Sequence, residues 1–218
     1  MDGFRALGST SATASALGQV RFYQGSFEEA EAALEQSLAL NLAIGDTRSP
    51  GVALALNYLA ETALHHQQLA RAQEHIDSGL ALSQEVGYTG CAELCYFTAG
   101  LLALRENQPV TSAKCFRESW RLQQSLNEHW RGLALMEAIA ALAVARGDWL
   151  GATRLYGAAE LLRASLNIPF LPVYRSLRED SLAQIRKHLI PATLDEAWSA
   201  GQSLSYGQAM AYAARCLE

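Results

Sequence analysis

The chain has 218 residues, of which 50% are hydrophobic and 18% are charged, so it can bury a sizeable core in one extended domain or two small ones. Its 17 Lys and Arg residues against 22 Asp and Glu residues give a formal net charge of −5. No basic run stands out along the chain, so we expect no direct binding of nucleic acid by this segment.

Neither a membrane span nor a secretion signal is predicted. The longest strongly apolar stretch, about residues 132–144, contains Glu137 and is shorter than the ~20 residues that a membrane-spanning helix needs. The N-terminus carries Asp2, Arg5 and a Ser/Thr/Ala-rich run instead of a charged segment followed by an apolar one. The four cysteines are unevenly spread and indicate no disulfide framework. We therefore expect a cytoplasmic protein without a membrane contact.

Four helix-terminating residues recur at a regular interval and indicate an internal repeat. At spacings of 42, 40 and 40 residues, they are Gly45, Gly87, Asn127 and Asn167. Gly and Asn commonly end helices in the left-handed conformation. Counting back from each stop gives an apolar stripe at helical period, which includes Leu34, Ile76, Phe116 and Tyr156. A period of this length predicts a helical solenoid.

Each repeat contains two helices separated by a short break. The breaks lie at Gly25-Ser26, Gln67-Gln68, Asn107-Gln108-Pro109 and Gly147-Asp148. Ser26 and Glu29 have the spacing of a capping box for the second helix of the first repeat. The second helices share a column of small residues, as close crossing of two backbones requires: Ser37, Gly79, Ser119 and Ala159. The sequence thus predicts four helix hairpins over residues 1–168.

Residues 169–218 leave the repeat and predict three short helices that cap the last hairpin. Pro169 and Pro172 bracket a linker, and a helix is predicted from about residue 173 to residue 189. Capping-box spacings open the other two helices, at Thr193 with Glu196 and at Ser205 with Gln208. In the first helix of the fourth hairpin, Glu137 is the only charged residue on an otherwise apolar face. We call this face the apolar floor and expect another helix to cover it.

The first repeat resembles the tetratricopeptide pattern of small and aromatic positions in a helix hairpin. The matching positions are Leu17-Gly18, Gly25, Phe27, Ala30, Leu34 and Ser37. The other repeats follow it more loosely, Arg21 and Ala63 stand where an aromatic residue is usual, and the period exceeds the common ~34 residues. The resemblance implies an all-α fold, a right-handed α-solenoid of four tetratricopeptide-like hairpins with a three-helix C-terminal cap.

A second resemblance concerns two segments near the C-terminus. They are Leu155-Tyr-Gly-Ala-Ala-Glu160 and the combination of Trp198-x-x-Gly201 with Ser205-x-x-Gln208-Ala209. Both are similar to the end of the repeat region in bacterial signal-transduction ATPases, which include LuxR-type and SARP-type transcriptional regulators. The resemblance implies a regulatory module of such a protein. The chain itself has no phosphate-binding Gly-x-x-x-x-Gly-Lys-Ser/Thr segment, so it would be a fragment or a stand-alone relative.

No residue pattern predicts catalysis. A nucleophile-elbow Gly-x-Ser-x-Gly is lacking. His65 and His66, near Glu61, suit a metal or acid–base role, but a solvated helix end explains them more simply. Cys91 and Cys95 are separated by three residues instead of the two of a tight zinc-binding pair, so burial as small apolar side chains is favoured. We predict a protein that is not an enzyme and has no metal site and no cofactor.

The remaining candidate site is a groove. In resembling arrays, the first helix of each hairpin lines this groove, which receives a peptide. Its candidate residues are Gln19, Phe22, Tyr23, Asn57, Glu61, His65, Phe97 and Arg105. The polar ones suit a peptide backbone or terminus, and the aromatic ones are typical binding anchors; packing between repeats is equally compatible. We expect a protein or peptide partner, which includes another domain of the same parent chain. Oligomerisation is left open. The alternative is a sensor that binds a small molecule or signalling peptide in this groove.

Overall fold

A computed structural model describes residues 2–126 and 128–218, with the side chains of residues 7–126 and 128–218. In these ranges the chain forms eleven α-helices and a short 3-10 helix (Pro172–Tyr174), and no strand. The α-helices are α1 (Asp2–Gln24), α2 (Phe27–Ala43), α3 (Pro50–His65), α4 (Leu69–Glu85), α5 (Thr89–Arg105), α6 (Pro109–Gln123), α7 (His129–Ala145), α8 (Trp149–Ser165), α9 (Arg175–His188), α10 (Pro191–Gln202) and α11 (Tyr206–Arg215). The predicted all-α solenoid of helix hairpins is confirmed.

One left-handed residue closes the turn inside each hairpin. These residues are Gly25 (φ 82°), Gln67 (φ 59°), Asn107 (φ 57°) and Gly147 (φ 78°). The amide after each one donates to the carbonyl five residues back, as Ser26 N–H does to Arg21 O at 2.9 Å. This bond is the Schellman closure of a helix end, so the four predicted breaks are confirmed.

The stops between hairpins use the same conformation. Gly45 (φ 74°), Gly87 (φ 68°) and Asn167 (φ 52°) are left-handed, as the sequence predicts. Asn127, the remaining predicted stop, lies outside the described residues. The predicted left-handed stops are therefore confirmed at Gly45, Gly87 and Asn167.

The chain divides into two compact units, residues 1–102 and 103–218. In the first unit α1 packs against α2, α2 against α3 and α3 against α4. The small-residue column lies where these helices cross: a Cβ added to Gly79 would lie 3.3 Å from Cys95 Sγ and 3.4 Å from Leu56 Cβ. Ser37 exchanges hydrogen bonds with Ser11 across the α1–α2 contact. This column serves packing, as predicted.

In the second unit the three C-terminal helices pack against the last hairpin. Helices α9, α10 and α11 each contact α8, and α9 and α11 also contact α7. The predicted cover over the apolar floor around Glu137 is confirmed, because α9 packs against α7. The α8–α10 crossing places two glycines against opposing backbone, Gly157 against Trp198 and Gly201 against Arg154.

Two of the three predicted capping boxes are wrong. Ser26 is the N-cap of α2, with φ −88° and ψ 73°, but its side chain makes no capping hydrogen bond. Helix α10 begins at Pro191, so Thr193 lies within its first turn; proline is favoured at that first position because its φ is already helical. The box of Ser205 and Gln208 is confirmed, with both reciprocal bonds formed.

Candidate functional site

Aromatic groove candidates of the first two hairpins meet in one cluster. The ring centroid of Phe22 lies 5.4 Å from that of Tyr23, 6.0 Å from that of Phe27 and 5.4 Å from that of Tyr58. Tilted and edge-on arrangements at these separations stabilise aromatic pairs. Phe22 is 0% exposed, beyond a partner's reach. Its contacts pack α1 against α2 and α3, which is the packing role that the sequence leaves open.

The rim of this cluster is accessible. Tyr23 is half-buried, and its hydroxyl lies 2.8 Å from that of Tyr58 in a hydrogen bond. His65 is exposed and stacks on Phe27 with 3.4 Å between centroids and 24° between planes. Gln19, one helical turn before Tyr23, is half-buried and donates to Ser15 Oγ at 3.4 Å. We call Gln19, Tyr23 and His65 the aromatic rim.

The polar groove candidates Asn57 and Glu61 lie beneath the surface. Asn57 is 0% exposed, accepts from Thr98 Oγ1 at 3.0 Å and donates to Glu61 Oε1 at 3.4 Å. Glu61 and Phe97 are buried as well. Buried polar groups must be satisfied internally, so this network fixes α3 against α5 and offers no free donor to a peptide. Arg105 is exposed in the last turn of α5.

Cys91 and Cys95 are fully buried, as predicted. The hydrogen bond between the Cys95 thiol and Cys91, and then burial, raise the pKa of Cys95. A thiol that stays protonated is a poor nucleophile and a poor metal ligand. The two cysteines act here as small apolar side chains against Val52, Ala53 and Leu82.

A charged network joins side chains of α2 and α4. Arg71 pairs with Glu31 and, at 2.7 Å, with Glu35. His66 Nε2 lies 3.7 Å from Glu31 Oε2. Burial, and then the positive charge of Arg71, lower the pKa of the half-buried His75, whereas Glu74, Glu35 and Glu31 oppose the shift. Among the described residues, no three His, Cys, Asp or Glu side chains are grouped so as to bind a metal.

The second unit contains an ion-pair cluster that the sequence did not predict. Glu137 is buried and pairs through Oε2 with Arg163 at 2.9 Å and through Oε1 with Arg178 at 2.8 Å. Arg178 also pairs with Glu160 at 2.7 Å. The available signal was Glu137 itself, because a lone carboxylate within an apolar helix requires cationic partners when it is buried.

The hairpins and their buried crossings define an α-solenoid of helix hairpins. Residues 9–85, which comprise most of α1 and the helices through α4, match the tetratricopeptide repeat family. Repeats of this family generally mediate protein–protein interaction. Comparison with curated proteins finds no match. Within the described ranges, none of the helices combines the length and apolar character needed to cross a membrane.

Proposed function

We propose that this chain is a non-catalytic interaction module that binds a protein or peptide partner through its tetratricopeptide-type hairpins. The observation that carries the proposal is the family match over residues 9–85, which coincides with the hairpins that form the aromatic rim. Gln19, Tyr23 and His65 are partly accessible above side chains that are themselves buried. The rim therefore combines a rigid base with exposed polar and aromatic groups.

The rim suits a partner because contacts within the chain restrict its side chains. The hydrogen bond between the Tyr23 and Tyr58 hydroxyls and the stacking of His65 on Phe27 restrict these side chains. A restricted side chain loses less conformational entropy when a partner docks, and tyrosine is enriched among residues that dominate binding energy. An extended or helical peptide with an apolar anchor is the expected partner chemistry.

We further infer that the module belongs to a bacterial, cytoplasmic signal-transduction or transcriptional regulator and that its partner includes another domain of the parent chain. The support is the likeness of the segments around Gly157 and Trp198 to the tail of such regulators. The alternative from the sequence places a small ligand in the groove of the first helices. A second candidate function, binding of a small ligand outside that groove, is favoured by a pocket between α8 and α9 in the second unit.

The experiment is a selection of peptides from a displayed random library against the full chain, followed by calorimetric titration of the strongest peptide. The variant Gln19→Ala/His65→Ala changes two rim side chains that are not buried, so it should keep the fold and weaken binding at least about tenfold. Gln84→Ala, an exposed change in α4, is the matched control and should bind normally. Absence of any enriched peptide, or equal affinity of the folded rim variant, would refute the proposal.

A further inference from the structure

An open pocket of about 370 Å3 lies between α8, α9 and the segment that joins them. Its lining consists of three arginines, two glutamates and two apolar side chains: Arg163, Arg175, Arg178, Glu160, Glu179, Phe170 and Leu182. The volume falls within the range of small-ligand sites. All of these residues belong to the second unit.

Buried Glu137 sets the orientation of two of the arginines. Its side chain is 6% exposed, and its two oxygens accept one bond each from Arg163 and Arg178. A buried carboxylate is costly unless its oxygens are satisfied, so these two bonds are not readily given up. The guanidinium of Arg178 is rigid and planar, so fixing Nη1 on Glu137 also fixes the direction of Nη2.

The outward nitrogen of Arg178 has a replaceable partner. Nη2 donates to Glu160 Oε2 at 2.7 Å, but the Glu160 side chain is 52% exposed. An ion pair with a solvated partner contributes only about 0–1 kcal/mol. Glu160 therefore occupies a carboxylate position that a second carboxylate can take at little cost.

The pocket also offers an additional cation and an apolar wall. Arg175 is exposed and lies one helical turn before Arg178, on the same side of α9. The Phe170 ring centroid lies 5.2 Å from Arg163 Cζ and 5.6 Å from Arg178 Cζ. These distances permit cation–π attraction, which fixes the ring beside the guanidinium groups. Leu182 extends the apolar surface.

We propose that this pocket binds a small organic carboxylate with an apolar body. The carboxylate displaces Glu160 from Arg178 Nη2 and pairs with Arg175, while the apolar body lies against Phe170 and Leu182. Arginine matches the planar geometry of a carboxylate and binds it more strongly than a neutral acceptor. The site is separate from the aromatic rim, so its failure would leave the peptide-binding proposal standing, and the converse also holds.

The test is calorimetric titration of the full chain with 4-phenylbutyrate and with its uncharged match, 4-phenylbutyramide. Glu160→Gln removes the competing carboxylate and should raise the affinity for the acid about fivefold, the equivalent of ~1 kcal/mol. Arg175→Ala should lower it about fivefold. Arg186→Ala removes an exposed arginine of α9 that does not line the pocket and should change nothing.

A merely structural role for the Glu160–Arg178 pair predicts that Glu160→Gln leaves the affinity unchanged or lowers it, and that result would overturn the proposal. Equal binding of acid and amide would overturn it too, because it would show adsorption to the apolar wall alone. A titration with millimolar 4-phenylbutyrate that gives no measurable heat would also overturn the proposal. The carboxylate of the ligand has two possible sources, a polypeptide C-terminus and a free organic acid. The tripeptide Ala-Ala-Phe with a free carboxylate distinguishes them: tighter binding than 4-phenylbutyrate indicates a polypeptide C-terminus, and weaker binding indicates a free acid.

Discussion

Replacing Gly201 with alanine should detach or distort α10, because the added methyl group would have no room at the α8–α10 crossing. A Cβ at this position would overlap Arg154 O and lie 2.8 Å from Arg154 C and 3.0 Å from Ala158 N. All three atoms belong to the backbone of α8, so no side-chain rotation can relieve the overlap. The helices must separate, and every contact along the crossing must change.

The magnitude follows from two opposing effects. Overpacking of a close contact costs about 1–3 kcal/mol, and the immobility of backbone atoms favours the upper end. Alanine is better than glycine in a helix by about 1 kcal/mol. We therefore expect a net loss of about 2 kcal/mol or more, which for a chain of this size lowers Tm by about 4–8 °C.

Tryptophan fluorescence is the appropriate assay because it reports on the second unit alone. All four tryptophans lie there: Trp120, Trp130, Trp149 and Trp198. Thermal unfolding followed by this signal should show the lowered Tm, and circular dichroism would follow both units together.

Gly207→Ala is the matched control, since a Cβ there meets nothing within 4 Å and the residue lies in α11. It should leave Tm unchanged or raise it by about 2–4 °C through helix propensity. If Gly201→Ala were as stable as Gly207→Ala, the close backbone crossing of α8 and α10 would be refuted.

The remaining predictions concern single interactions. Glu137→Leu should cost about 3–5 kcal/mol in urea unfolding followed by tryptophan fluorescence, because it leaves two guanidinium groups without their buried partner. Tyr23→Phe and Tyr58→Phe should each cost about 1 kcal/mol in urea unfolding followed by circular dichroism, and the double variant should cost less than their sum, because both remove one bond. Ser205→Ala should cost about 1 kcal/mol in thermal unfolding through loss of the α11 cap. Because the folded-state pKa of His75 is lowered, the free energy of unfolding should fall as pH decreases from about 6.5 toward that lower value, and His75→Gln should remove this part of a measured pH profile.

The helix stops between hairpins were predictable because the signal is local. Gly and Asn end helices because their own backbones adopt the left-handed conformation at low cost. Gly45, Gly87 and Asn167 therefore indicate a helix end whatever helices pack around them. The same holds for the small-residue column, which any close crossing requires. The start of α10 was predicted wrongly because Pro191 and Thr193 are both helix-start signals within three residues. The helix begins at the proline.

The candidate site was less predictable because accessibility depends on other helices. Phe22 and Asn57 occupy groove positions by spacing, yet α2, α3 and α5 bury them. Likewise one of the two partners of Glu137, Arg178, lies 41 residues away on α9, and no local pattern indicates which arginine pairs with it. Sequence spacing gives the face of a helix, whereas the neighbour that covers this face is a tertiary property.

The residues that carry the likeness to bacterial regulators have a packing role here. Gly157 and Gly201 permit the close crossing of α8 and α10, and Ser205 with Gln208 starts α11. The proposed ligand contacts, Arg175, Arg178 and Phe170, lie outside both similar segments. A chain that shares those segments should therefore share the cap and its geometry, because the crossing requires them. It need not share the ligand, because Arg175, Arg178 and Phe170 can vary while the crossing is kept.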